Sequence, residues 1–392
     1  MAAEHGSRRR SKKESLLDEP PDLDEEGVPK DRPRGITSRI LNGVLSYGVI
    51  VLIFAFLFNK LGSADDMGAS LELITASQVV ICCLLGLFNL FTNLPPIVTT
   101  LPGLRYREAG VTNFASAAVS NTVPEGGAVA TGMQFAMMRS WGFRLNAITS
   151  SFLTTGIWTN LVRYGLMAIA LVALSYQEDS SETLRVIALV VTVLIALAIG
   201  ALIGVLRSAP FARWLGRLIG KVTAPAYRLA RKAPLDDWDD RTEEFRDELL
   251  VLVQRRWLRL TLTMMLSQLS ACLVLGVALR LQGLDASLIP VSLVIVAYAS
   301  MALASLVAPT PGGLGVAEVT LLAVLTYNLP AEYDNAVIAS ILLFRMATWL
   351  LPIPVGAGCY LFWRSNHSWR LSQDERDART AASADPTLAP TS

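Results

Sequence analysis

The chain has 392 residues, 52% hydrophobic and only 17% charged, and its 34 Lys and Arg against 33 Asp and Glu leave a net charge of +1. Soluble domains carry closer to a quarter charged residues, and here the charges are segregated into residues 1–40, 206–256 and 363–392, with long apolar runs between them. This pattern excludes an ordinary soluble domain, and the balanced charge gives no signal for nucleic-acid binding.

Residues 1–38 are polar, mixed in charge and Pro-bearing, which predicts a disordered cytoplasmic tail. A cleavable signal is not expected, because its apolar region follows closely behind a short basic start. Apolar segments follow at 40–59, 71–92, 146–175, 184–206, 257–279, 288–308 and 336–362. Each approaches the roughly 20 residues that cross a ~30 Å hydrocarbon core. A segment that crosses alone satisfies its own backbone hydrogen bonds only as a helix. Regions 106–140 and 309–328 are apolar but interrupted by Pro and Gly. Residues 39–365 are therefore expected to form an all-α polytopic membrane helix bundle. It would have about eight spans and Gly/Pro-broken, partly re-entrant helices, followed by a second disordered cytoplasmic tail at 366–392.

Orientation follows from Lys and Arg, which accumulate on the cytoplasmic side. The loop 206–256 is rich in both, whereas QEDSSE (177–182), GLDAS (283–287) and NLPAEYDN (328–335) have acids and neither cation. The basic loop and both termini are expected inside, and the acidic loops outside. Within the loop, Arg213, Arg217 and Lys221 recur every four residues with Trp214, Leu215, Leu218 and Ile219 between them. That pattern suits either a basic amphipathic helix on anionic lipid, over 206–232, or an ordinary positive-inside loop. The acidic run DDWDDRTEE (236–244) reads as a solvated linker rather than a metal site.

Cys82, Cys83, Cys272 and Cys359 fall in apolar segments without metal-ligand spacing, so small buried apolar residues are expected rather than disulfides or zinc ligands. The two histidines, His5 and His367, lie in the tails, which leaves no histidine for chemistry within the membrane. GRLIGKV (216–222) has the wrong spacing for a phosphate loop. No cofactor or metal is expected.

The broken regions carry the chemistry. TVPEGGAVATGMQFAMM (122–138) and TPGGLGVAEVTLLAV (310–324) each place a Pro and paired Gly before small residues and a short apolar helix. An intramembrane arginine follows each, Arg163 and Arg345. Interrupted segments in corresponding halves point to a transporter-type binding site at an internal inverted repeat, although so short a likeness also arises by chance. The breaks are Pro124, Gly126 and Gly127 in the first region and Pro311, Gly312, Gly313 and Gly315 in the second. The helix restarting after Gly315 turns its N–H groups into the break, and Glu318 falls in its first turn. Arg345 is the expected counter-ion. Intramembrane charges read by default as a substrate path, and a purely structural Glu318–Arg345 pair is the alternative. Arg163 lies too deep to snorkel, while Glu125 either joins the path or faces cytoplasmic water. The stretch FTNLPPIVTTLPGLRYREAG (91–110) predicts a non-helical entry at Asn93, Pro95, Pro96 and Pro102. Its cluster Arg105, Arg107 and Glu108 suits a headgroup-level charge site or a plain cytoplasmic turn.

Pro311-Gly312-Gly313-Leu314-Gly315-Val316-Ala317-Glu318, followed by Arg345 and Trp349-Leu350-Leu351-Pro352, resembles the lysylphosphatidylglycerol synthase transmembrane family. That family includes the flippase half of bacterial multiple-peptide-resistance factors. The resemblance covers most of residues 40–365. It implies an integral protein of the bacterial inner membrane that translocates a lipid, or a lipid-linked substrate, with Glu318 and Arg345 as functional positions. The aminoacyl-transferring synthase domain of the bifunctional members is not expected here, since the longest polar loop is 206–256. The stretch around Asn93 fits the family only loosely, which leaves the headgroup open.

A lipid translocase is therefore the expected function, with membrane phospholipid as partner and Glu318, Arg345, Arg163 and Glu125 contacting a charged headgroup. An intramembrane transferase acting on a lipid carrier is one alternative, for which DDWDD is the sole acidic candidate. A non-catalytic partner that recruits a cytoplasmic enzyme through 206–256 is the other.

Overall fold

The computed structural model describes residues 73–123, 126–176, 182–208, 238–306, 308 and 310–366, with 210, 211, 214 and 369 as isolated positions. The tail 1–38, the apolar segment 40–59, residues 215–237 of the basic loop, nearly all of the tail 366–392, and Pro124 and Glu125 lie outside the described residues. The described residues are helical with no strand among them, and five helical stretches are long and apolar enough to cross a membrane.

The first crossing is built from α1 (Ala76–Thr92) and α2 (Leu94–Thr100). Here the expected non-helical entry is corrected in part: Pro95 and Pro96 sit in the first turn of α2 and only Asn93 separates it from α1, whereas Pro102 lies in the non-helical turn 101–105. Prolines fit a first turn because the N–H groups they lack have no intrahelical acceptor there. The break still frees carbonyls upstream, and side chains satisfy one of them: Asn93 Nδ2 and Thr92 Oγ1 both donate to the Asn89 carbonyl, at 2.8 and 2.7 Å. Such local repair is what permits a kink at membrane depth.

Region 106–140 forms α3 (Tyr106–Thr122) and α4 (Gly126–Ser140). The two helices run antiparallel, since Gln134 Nε2 donates to Ser116 Oγ near the turn and Thr112 Oγ1 donates to Met137 Sδ at 3.3 Å farther from it. Glu108 begins the hairpin by accepting the Arg105 backbone N–H at 2.9 Å, so this acid of the expected charge cluster caps its own helix. Long helices α5 (Leu145–Ser175), α6 (Glu182–Arg207) and α7 (Trp238–Leu281) follow. The apolar stretch of α6 buries almost none of its surface, leaving Leu189, Leu194 and Leu197 more than half exposed. In a membrane that face meets acyl chains.

The second broken region is larger than expected. Instead of a continuous segment over 288–308, α8 covers only Val291–Ser305, and α9 (Val316–Leu325) packs back against it. Fifteen residues rise about 22 Å, short of a full crossing. A 3-10 turn (Ala331–Tyr333), helix α10 (Asp334–Arg345), a π turn (Met346–Leu350) and α11 (Pro352–Ser365) follow as one apolar stretch of 35 residues.

The order long helix, broken hairpin, long helix therefore occurs twice, with the long helix α6 between the two sets. The leading members, α1 and α7, run antiparallel: Gln78 Nε2 reaches the Leu281 carbonyl at 2.8 Å, Asn89 Nδ2 reaches Ser270 Oγ at 2.7 Å, and Ser267 Oγ reaches Asn93 Oδ1 at 2.6 Å. The hairpins are exchanged between halves, α3 packing on α11 and α8 on α5. The α3–α11 contact is so close that a Cβ on Gly356 would lie 1.9 Å from the Phe114 carbonyl oxygen. On the other side, Ala170, Leu171 and Leu174 of α5 cluster with Val296 of α8. Antiparallel leading helices and exchanged hairpins are the packing that an inverted repeat produces.

Candidate functional site

The loop APTPGGLGVAE builds its turn from three left-handed glycines, Gly312 (φ 57°), Gly313 (φ 69°) and Gly315 (φ 85°). Glycine adopts that backbone without the strain a Cβ brings to most residues. Space is also closed: a Cβ on Gly312 would lie 2.4 Å from Trp349 Nε1, and one on Gly313 2.7 Å from Ser305 Oγ. Helix α9 then begins at Val316, and Glu318 in its first turn accepts the Gly315 N–H with one carboxylate oxygen. The other oxygen pairs with Arg345 Nε. Arg345 Nη2 donates to the Gly312 carbonyl at 3.1 Å, and its guanidinium carbon stands 5.8 Å from the centre of the Trp349 ring. With 12% of the Arg345 side chain and 14% of Glu318 exposed, the pair is close to dry.

The tip of the first hairpin meets this network. Asn121, in the last turn of α3, donates through Nδ2 to the Trp349 carbonyl at 2.9 Å, and its Oδ1 is the third atom that a Gly312 Cβ would meet. Trp349 Nε1 is buried at the same place without a hydrogen-bond acceptor among the described residues. The meeting of α3, the Gly312 turn and the π turn therefore rests on very few polar contacts. A π turn is itself a local distortion that often marks functional positions.

Arg163 lies elsewhere. It projects from the middle of α5 into a cavity of about 230 Å³ where α1, α2, α3, α5, α7 and α8 converge. Its Nε donates to Gln268 Oε1 at 2.9 Å, and its guanidinium stands 5.8 Å from the Tyr298 ring centre. Tyr298 Oη donates to the same Gln268 oxygen at 3.3 Å. Asn89, Asn93 and Asn113 add amides to the wall. Gln268 sits midway along the apolar stretch Arg256–Leu281, so this polar chamber lies deep in the bundle, beside the Asn93 kink. A charge at such depth costs roughly 2.5–3.5 kcal/mol on insertion scales, and neighbouring amide dipoles reduce that cost.

The structure thus brings Glu318 and Arg345 together with Gly312 and Gly315, places Arg163 in a separate chamber that neither of them lines, and leaves Pro124 and Glu125 outside the described residues. Gly126 packs where a Cβ would strike the carbonyls of Val119 and Ser120, whereas Gly127 has open space. Sequence reasoning missed Asn121, Gln268 and Tyr298. Their one signal was polarity inside an apolar run, and nothing local distinguishes them from lone polar residues. Among the described residues no three His, Cys, Asp or Glu converge as metal ligands, and Asp236 and Asp237 lie outside them.

Comparison with known proteins gives one finding. No curated protein matches the chain. The family described as the lysylphosphatidylglycerol synthase TM region matches residues 38–356, a range that holds both broken hairpins, the Glu318–Arg345 pair and the Arg163 chamber. The chain belongs to the lysylphosphatidylglycerol synthase transmembrane-region family.

Proposed function

We propose that this protein is a lipid translocase of the bacterial inner membrane, carrying a polar headgroup through the bundle while the acyl chains stay in the bilayer. The observation that carries this reading is the deep polar chamber around Arg163, set between two hairpins that stop short of crossing. A headgroup needs hydrogen-bonding groups at the depth where lipid offers none, and the chamber supplies them. In the orientation we infer, the first hairpin opens from the Lys- and Arg-rich cytoplasmic side, with Arg139 and Arg144 at its base, and the second from the acidic outer side. Both termini then lie in the cytoplasm.

In this account the Glu318–Arg345 pair fixes the tip of the second hairpin, and Arg163 meets the headgroup. Rocking one half against the other about a fixed site is how inverted-repeat transporters alternate access. Separating the first hairpin's tip at Asn121 from the π turn at Trp349 is the corresponding motion here.

The test is reconstitution. Purified protein in vesicles should move headgroup-labelled phosphatidylglycerol between leaflets faster than protein-free vesicles do, and Glu318→Gln and Arg345→Ala should slow it. Labelled lipid crossing no faster than in empty vesicles would overturn the proposal.

A further inference from the structure

We infer that the Arg163 chamber is a binding site for a phosphate oxyanion, carried either on a phospholipid headgroup or as free phosphate. The inference rests on the translocase reading and narrows its substrate, because it assigns the bound group a negative charge.

Three observations carry it. First, Arg163 is the only charged side chain among the described residues that line the chamber, and no carboxylate accompanies it. Its charge is balanced there by the Tyr298 ring face and the Gln268 carbonyl oxygen. Arg345, by contrast, has its carboxylate in contact. A half-buried guanidinium at mid-membrane depth without a carboxylate favours an anion beside it.

Second, the donors are arranged for several acceptor oxygens. Nε is held by Gln268, which orients the guanidinium, and the Tyr298 hydroxyl is a second polar neighbour; no carboxylate or carbonyl oxygen meets the two terminal nitrogens among the described residues. Those two nitrogens form the fork that binds oxyanions in a bidentate fashion. Gln268 is 5% exposed, and its oxygen is occupied by Arg163 and Tyr298. Its amide nitrogen is left as a further donor on the cavity wall. The Asn113 side-chain amide lines the same cavity from the facing helix α3.

Third, the chamber is large enough. About 230 Å³ far exceeds the roughly 10–15 Å³ that admits one water. Met264, Ile97 and Ala271 complete its wall, giving an apolar border such as an acyl-glycerol needs beside its phosphate.

The experiment measures equilibrium binding to full-length protein in uncharged detergent, with fluorescent phosphatidylglycerol as one probe and radiolabelled inorganic phosphate as the other. Arg163→Ala should weaken the bound probe at least tenfold, Gln268→Leu several-fold, and Arg163→Lys less than Arg163→Ala. An unchanged thermal midpoint and unchanged binding of fluorescent diacylglycerol separate lost recognition from lost folding. Lipid binding that excess inorganic phosphate does not displace assigns the site to a headgroup. Saturable phosphate binding without lipid binding assigns it to the free ion. Binding of both probes that is indifferent to Arg163→Ala and Gln268→Leu overturns the inference. The same variants in vesicles keep the two proposals distinct. Arg163-dependent binding without translocation by wild type defeats the translocase and leaves the site, whereas translocation that survives Arg163→Ala with binding unchanged defeats the site alone.

Discussion

Glu318 and Arg345 leave each other no idle face: the carboxylate spans the Gly315 N–H and the guanidinium, and the guanidinium spans the carboxylate and the Gly312 carbonyl. One pair thereby ties both sides of the APTPGGLGVAE turn to the helix that follows. Because neither side chain is much exposed, removing one partner leaves the other charge without compensation.

Glu318→Gln is expected to destabilise the protein by about 3 kcal/mol, the low end for breaking a buried pair. Arg345→Met should cost a similar amount. Combined, the two should cost clearly less than the sum, because the double variant strands no charge. Thermal unfolding in detergent across this double-mutant cycle checks the coupling, and additive effects would refute it.

Gly312→Ala should be more damaging than its single added carbon suggests. It meets the Trp349 indole and takes a left-handed backbone that alanine resists. Gly127→Ala, added into open space, is expected to change stability by less than about 1 kcal/mol or to raise it slightly, as helical Gly→Ala exchanges do. The contrast in thermal midpoint between these two variants measures the closeness of the turn.

Topology is checked by labelling single cysteines in a protein with Cys82, Cys83, Cys272 and Cys359 replaced by alanine. Ala286→Cys and Ala331→Cys, on exposed positions of the acid-bearing loops, should react with an impermeant maleimide added outside intact cells. Arg107→Cys should react only after the membrane is opened. The reverse pattern would invert the assigned orientation.

Asp285 lies outside the apolar helices and accepts three hydrogen bonds through Oδ1: from Ser287 Oγ at 2.6 Å, Ser287 N at 3.0 Å and Leu288 N at 3.2 Å. The Ser287 hydroxyl first, then the Leu288 and Ser287 amides, hold its carboxyl below the ordinary value of 3.8. A depressed folded-state value means that the turn is supported above the unfolded value and loses that support only as pH falls through the folded one. The carboxyl carbon signal of labelled aspartate should therefore titrate at lower pH for Asp285 than for an unstructured reference. Titration at or above the reference would contradict the turn.

Much of the fold and part of the site are legible in the amino-acid sequence. PGGLG reads as a break from backbone chemistry alone, and the placement of Glu318 in a first turn follows from its distance to Gly315. The end of α8 at Ser305 is not legible, because the apolar run continues past it and hydropathy is blind to a helix folding back. Pro95 and Pro96 mislead for the opposite reason: prolines start a helix as readily as they stop one, and the choice depends on whether Asn93 can repair the break. Gln268 and Tyr298 reach Arg163 only through the packing of α7 and α8 on α5. That convergence is tertiary and leaves no trace in spacing.

The central claim is that the tip of the first hairpin parts from the π turn to let a headgroup pass, and the contact between Asn121 and Trp349 is the place to hold them. In vesicles containing the cysteine-free protein with Asn121→Cys and Trp349→Cys, a short bifunctional thiol reagent should stop translocation of labelled phosphatidylglycerol, and a reductant that cleaves the bridge should restore it. Lipid crossing at the same rate with the first hairpin's tip bridged to the π turn would contradict the account.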